Sequence, residues 1–126
     1  MPQTNLPKAV QDCHNLLVWL LPLLDNFPRN RRFTLGERLE TGLIEILELL
    51  VEAAYARTKQ NSLRQANLRL SVVRHLWRMA YELKTIPIKR YAHGAQLVDE
   101  LGKQIGGWLK STETHSKSQV DDETPG

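Results

Sequence analysis

Residues 62–84 of this 126-residue chain carry two patterns on one helical period, and that pairing restricts the fold more than any other segment. At about 100° per residue, Ala66, Leu70, Val73, Leu76, Trp77, Ala80 and Leu83 fall on one broad side. Gln60, Arg64, Asn67, Ser71, Arg74, His75 and Arg78 fall on the other. Val72 and Met79 widen the apolar side beyond the needs of a single bundle face. The polar side has no carboxylate until Glu82. Such a helix needs neighbours on two surfaces and leaves an arginine row on the third.

Three further helices and no convincing strand are legible. The first is expected over about 7–26, with Pro7 in its first turn and Pro22 bending its end. The second is expected over about 34–56, opened by a Thr34-x-x-Glu37 capping box. Its core stripe is Leu39, Leu43, Ile46, Leu47, Leu50 and Ala54, and Glu40, Glu45, Glu48 and Glu52 form a solvated acidic side. The third opens on a second box, Ser62-x-x-Gln65, and stops before Ile86-Pro87, because the residue before proline avoids the helical region. The fourth, over about 89–109, has a heptad-like seam of Tyr91, Ala95, Val98, Leu101, Gly102, Ile105, Trp108 and Leu109. Gly94, Gly102, Gly106 and Gly107 each weaken an isolated helix by about 1 kcal/mol relative to alanine. They are expected to serve close approach of a neighbouring helix. The links, about 27–33, 57–61 and 85–88, are short. Short links predict an all-α, antiparallel up-down-up-down four-helix bundle over residues 1–110. Residues 111–126, polar and acidic, read as a disordered tail.

Charge is unevenly placed. The net charge is +3, but residues 1–110 carry 16 Lys and Arg against 10 Asp and Glu, whereas residues 111–126 carry one Lys against four acids. The folded part therefore favours acidic partners, nucleic acid first. In the expected topology, Arg29, Arg31 and Arg32 of the first link share one end with Lys84, Lys89 and Arg90 of the third. The row Arg64, Arg74, Arg78 runs toward that end, while Lys8, Arg57, Lys59 and Lys110 mark the other. A basic end joined to a basic stripe can follow a phosphate backbone. Arginine rather than lysine in the row fits planar recognition of phosphate or carboxylate. Pairing of these arginines with Glu45 or Glu48 of a neighbouring subunit would explain the same residues without RNA. Arg69, set among apolar positions, either snorkels or pairs its charge at a helix or subunit interface, and is a candidate for the latter.

Several chemistries find no support. Cys13 is the single cysteine, so neither an internal disulfide nor a Cys-based zinc site is possible, which fits a reducing, cytoplasmic compartment. It reads as a small core residue. His14, His75, His93 and His115 share no metal-ligand spacing. Gly106-Gly107 follows no strand and makes no phosphate loop. The apolar run 16–24 is far shorter than the roughly 20 residues of a membrane span. Trp19, Trp77 and Trp108 lie on apolar stripes and are expected in the core. No enzyme activity, metal or cofactor is expected.

In order along the chain, Phe27-Pro28-Arg29-Asn30-Arg31-Arg32-Phe33, Thr34-Leu35-Gly36-Glu37-Arg38, Leu70-Ser71-Val72-Val73-Arg74-His75-Leu76-Trp77-Arg78 and Ile105-Gly106-Gly107-Trp108-Leu109-Lys110-Ser111 resemble the accessory variability determinant (Avd) proteins of diversity-generating retroelements. Those are similar in turn to the four-helix proteins encoded in ribosomal-RNA intervening sequences. The resemblance covers about residues 8–111. It implies a four-helix bundle that assembles as a pentameric barrel and associates with a reverse transcriptase and its template RNA. The implied role is a non-catalytic one in making mutagenic cDNA. Arg74 and Arg78 match the basic third helix of the family, and Arg29, Arg31 and Arg32 its basic first loop. The alternative implied is a four-helix oligomer of structural or unknown role, like the intervening-sequence proteins. A toxin–antitoxin or signalling bundle is left open by the physics alone.

Overall fold

The computed structural model describes residues 6–123. Four long helices make up the molecule: α1 (Lys8–Leu24), α2 (Glu37–Tyr55), α3 (Gln60–Glu82) and α4 (Ile88–Glu123). No strand occurs among the described residues. The helices pack in a closed ring, α1 against α2 and α4, α2 against α3, and α3 against α4.

The core follows the periodicity. Leu39, Leu43, Ile46, Leu50 and Ala53 of α2 are buried, as are Leu63, Ala66, Leu70, Val73, Trp77 and Ala80 of α3. From α4 come Val98, Leu101 and Ile105. Cys13 lies among the buried residues of α1 and its thiol points to the Leu43 carbonyl at 3.8 Å, tying α1 to α2. No polar or charged side chain is buried among the described residues.

An aromatic cluster locks three helices together. Trp77 is fully buried and donates from Nε1 to the Tyr91 carbonyl at 3.0 Å. Trp19 meets its edge with centroids 6.2 Å apart, and Tyr81 stacks on Tyr91 at 4.7 Å. A Cβ on Gly94 would lie 2.6 Å from the Trp77 ring. Only glycine lets the indole lie so close to the α4 backbone.

Four boundaries differ from the sequence reading. The chain is already helical at Arg29–Arg31 and passes through a π-helical turn, Arg32–Gly36, into α2. Thr34 therefore caps nothing: its hydroxyl donates back to the carbonyls of Asn30 and Arg31, both at 3.3 Å. Likewise α3 starts at Gln60, ahead of the Ser62 box, and its N-cap position, Lys59, makes no side-chain cap bond there. The Lys59 ammonium instead donates to the Ala53, Ala54 and Ala56 carbonyls at the end of α2. α3 ends at Glu82, earlier than Pro87 demands, in a Schellman turn: Thr85 N–H bonds the Ala80 carbonyl, Lys84 N–H bonds Tyr81, and Lys84 takes φ 62°. The fourth helix does not stop at Leu109 but runs to Glu123, so helical backbone occupies most of the expected tail. The last three residues, 124–126, lie outside the described residues.

Candidate nucleic-acid interface

The structure divides α3 into three faces. One is the core face. The second carries Arg64, Asn67, Ser71, Arg74 and Arg78, spaced by threes and fours and all exposed. The third is an apolar stripe that reaches solvent: Leu68 is 67% exposed, Val72 46%, Met79 40% and Leu83 44%. Leu76, half-buried, completes it. The widened apolar side thus splits between the core and open surface.

The arginine face lies along α4. Arg64 Nη2 bonds Glu113 Oε1 at 3.1 Å, and Arg74 Nε bonds Asp99 Oδ1 at 3.2 Å. Arg78 Nε pairs within its own helix with Glu82 at 2.8 Å. All six side chains stay substantially exposed, so each pair is weak and exchangeable in water. The row is cationic but not unpaired.

Arg69 is exposed and reaches Glu45 of α2 at 3.5 Å within the same chain. Its charge thus pairs across a helix–helix interface of this chain.

Arg29 is exposed and Arg31 half-buried. Arg32 pairs with Asp25 at 3.0 Å, and its guanidinium lies 5.7 Å from the centroid of the exposed Phe33 ring. Lys84 is exposed in the turn after α3, and Lys89 and Arg90 in the first turn of α4.

Glycines divide by use. Gly94 and Gly102 meet α3 closely, at Trp77 and at Arg74 and Leu70. Gly106 and Gly107 do not, since a Cβ on either would meet nothing within 4 Å. Close helix approach therefore accounts for the first two only.

Sequence reasoning missed the α4 half of this seam. On α4, Asp99, Lys103, Gly106, Lys110 and Glu113 repeat by threes and fours and form the row opposite the arginines. The spacing was visible, but which row it meets depends on helix register.

A family model described as bAvd-like matches residues 9–112. The chain belongs to the bAvd-like family. The match covers α1 from its second residue, α2, α3 and α4 as far as Thr112, and it agrees with the Avd resemblance. No curated protein matches this bAvd-like chain. No helix among its described residues is long and apolar enough to cross a membrane. No group of three or more His, Cys, Asp or Glu among those residues is placed to hold a metal ion.

Proposed function

We propose that this bAvd-like protein is a non-catalytic accessory subunit of a cytoplasmic diversity-generating retroelement. In that role it binds template RNA and the reverse transcriptase in support of mutagenic cDNA synthesis. The observation that carries the reading is the exposed arginine row of α3 in a chain of this family. Arginine forks match phosphate oxygens, and a row along one helix face offers several at once.

The assembly belongs to the same proposal. Contact pairs run in reverse order, Arg64 with Glu113, Arg74 with Asp99 and Tyr81 with Tyr91, which supports antiparallel α3 and α4, as an up-down-up-down path requires. The exposed stripe of Leu68, Val72, Met79 and Leu83 supports a homo-oligomer, a pentamer by family likeness. The basic links at Arg29, Arg31, Arg32, Lys84, Lys89 and Arg90 then extend the surface open to RNA or polymerase.

A second reading has its own observation. Every arginine of the row already has a carboxylate of the same chain, as expected of a structural oligomer with no RNA. Binding of an RNA stem-loop to wild type and to an Arg74→Ala/Arg78→Ala variant, at several salt concentrations, separates the two. The accessory reading expects tight binding at low salt that falls steeply with salt. The double variant should bind more weakly, with a shallower slope and unchanged helicity. A wild type that ignores RNA at low salt supports the structural reading.

A further inference from the structure

Two polar rows meet along the α3–α4 seam, Arg64, Asn67, Ser71, Arg74 and Arg78 on one helix and Asp99, Lys103, Gly106, Lys110 and Glu113 on the other. Their register is visible in the Arg64–Glu113 and Arg74–Asp99 pairs and at Gly102, where a Cβ would lie 3.0 Å from Arg74 Nη2. Asp99 and Glu113 are the acids among these five α4 residues, and each pairs with an arginine. They stand 14 residues apart on one helix, about 21 Å at 1.5 Å per residue. Between them the floor is small and polar. Ser71 turns its hydroxyl back to the Asn67 carbonyl, and Gly106 leaves open space. Lys103 and Lys110 are exposed on the same α4 row.

We infer that Asp99 and Glu113 are built-in competitors at this seam: their carboxylates occupy the positions where two phosphates of an RNA strand dock, and RNA binds by displacing them. The inference rests on the RNA-binding reading above. It deepens that reading by naming the seam as the face and Lys103 and Lys110 as its second cationic edge. A guanidinium accepts a carboxylate or a phosphate in the same fork. One hydrogen bond joins each pair, and both partners face water, so exchange requires no unfolding. The competition makes binding selective. A lone phosphate gains little over the resident carboxylate, whereas a strand that displaces both also reaches the lysines between them. A displaced carboxylate also takes up a counter-ion while RNA releases its own. The native protein therefore shows a gentler salt dependence than its cation count implies.

The test is fluorescence anisotropy of a labelled RNA stem-loop across a salt series with three full-length proteins: wild type, Asp99→Asn/Glu113→Gln, and Glu48→Gln/Glu52→Gln. The last pair loses the same charge from exposed carboxylates of α2, outside the seam. The expected result is binding about fivefold tighter for Asp99→Asn/Glu113→Gln, with a steeper salt slope. Glu48→Gln/Glu52→Gln should stay within about twofold of wild type at about 0.1 M salt, since neither carboxylate pairs with a seam arginine and solvent-exposed charges are screened there. If wild type binds RNA and the two double variants behave alike, the carboxylates do not compete and the inference is overturned while RNA binding stands. If no protein binds at the lowest salt, the RNA-binding reading fails and takes this inference with it.

Discussion

Gly94 sets how closely α3 and α4 pack at one end of their seam. Its missing side chain admits the Trp77 ring, and a Cβ there would stand 2.6–2.8 Å from three ring atoms. Trp77 has little room to yield, because it is fully buried and hydrogen-bonded to Tyr91. Gly94→Ala should therefore destabilise the fold by about 2 kcal/mol in urea unfolding. Gly106→Ala, which meets nothing, should stabilise it by about 1 kcal/mol through helix propensity. Equal effects at both sites would show that the Trp77 contact does not restrict position 94. Cys13 is a second single-residue case. Burial pushes its thiol from 9.0 to about 12, so the folded state holds the proton that the unfolded chain releases. Its contribution is complete below about pH 9 and is lost as pH rises toward 12, at a slope of at most about 1.4 kcal/mol per unit. Stability measured from pH 8 to 11 should fall more steeply in wild type than in Cys13→Ala. Parallel curves would mean the thiol ionises in place.

At the scale of elements, the ends of helices carry the surprises. Both capping boxes have suitable residues, yet neither acts as one. Helical backbone from Arg29 absorbs Thr34 into a π turn, a feature often found at functional sites. Here it leaves Phe33 exposed beside Arg32. The α2–α3 corner is held by Lys59, whose ammonium satisfies three carbonyls that α2 leaves unpaired. A cation there also complements the negative end of the α2 dipole. Lys59→Met keeps the stem and removes the charge, and should cost about 1–2 kcal/mol with no change in RNA affinity. Thermal melts and anisotropy on the same variant check both parts.

For the molecule as a whole, α3 is divided between three environments: core, polar seam and exposed apolar stripe. A stripe of Leu68, Val72, Met79 and Leu83 along one helix is an unusual thing to leave in water, and it underlies the proposed oligomer. Val72→Glu/Met79→Glu should reduce the mass measured by light scattering to that of one chain while circular dichroism keeps its helical signal. A wild-type mass of one chain would remove the oligomer from the proposal. Retention of a multiple-chain mass in the variant would move the interface elsewhere.

Helix number and the core stripes were legible because burial repeats with the helical period, and Leu39, Leu43, Ile46 and Leu50 need no partner named to show it. The row Arg64, Arg74, Arg78 was legible for the same reason, since one helix determines its own faces. Family membership followed from local residue order. What the sequence could not decide is where one helix stands against another. The register that sets Arg74 beside Asp99 and Arg64 beside Glu113 comes from Trp77 seating against Gly94, a contact between residues 17 apart in the chain. The packing of α3 on α2 likewise set Arg69 beside Glu45 of its own chain, and the α3–α4 register left Gly106 open. Periodicity is a property of single segments; pairing is decided by shape complementarity between segments, which only the packed structure holds.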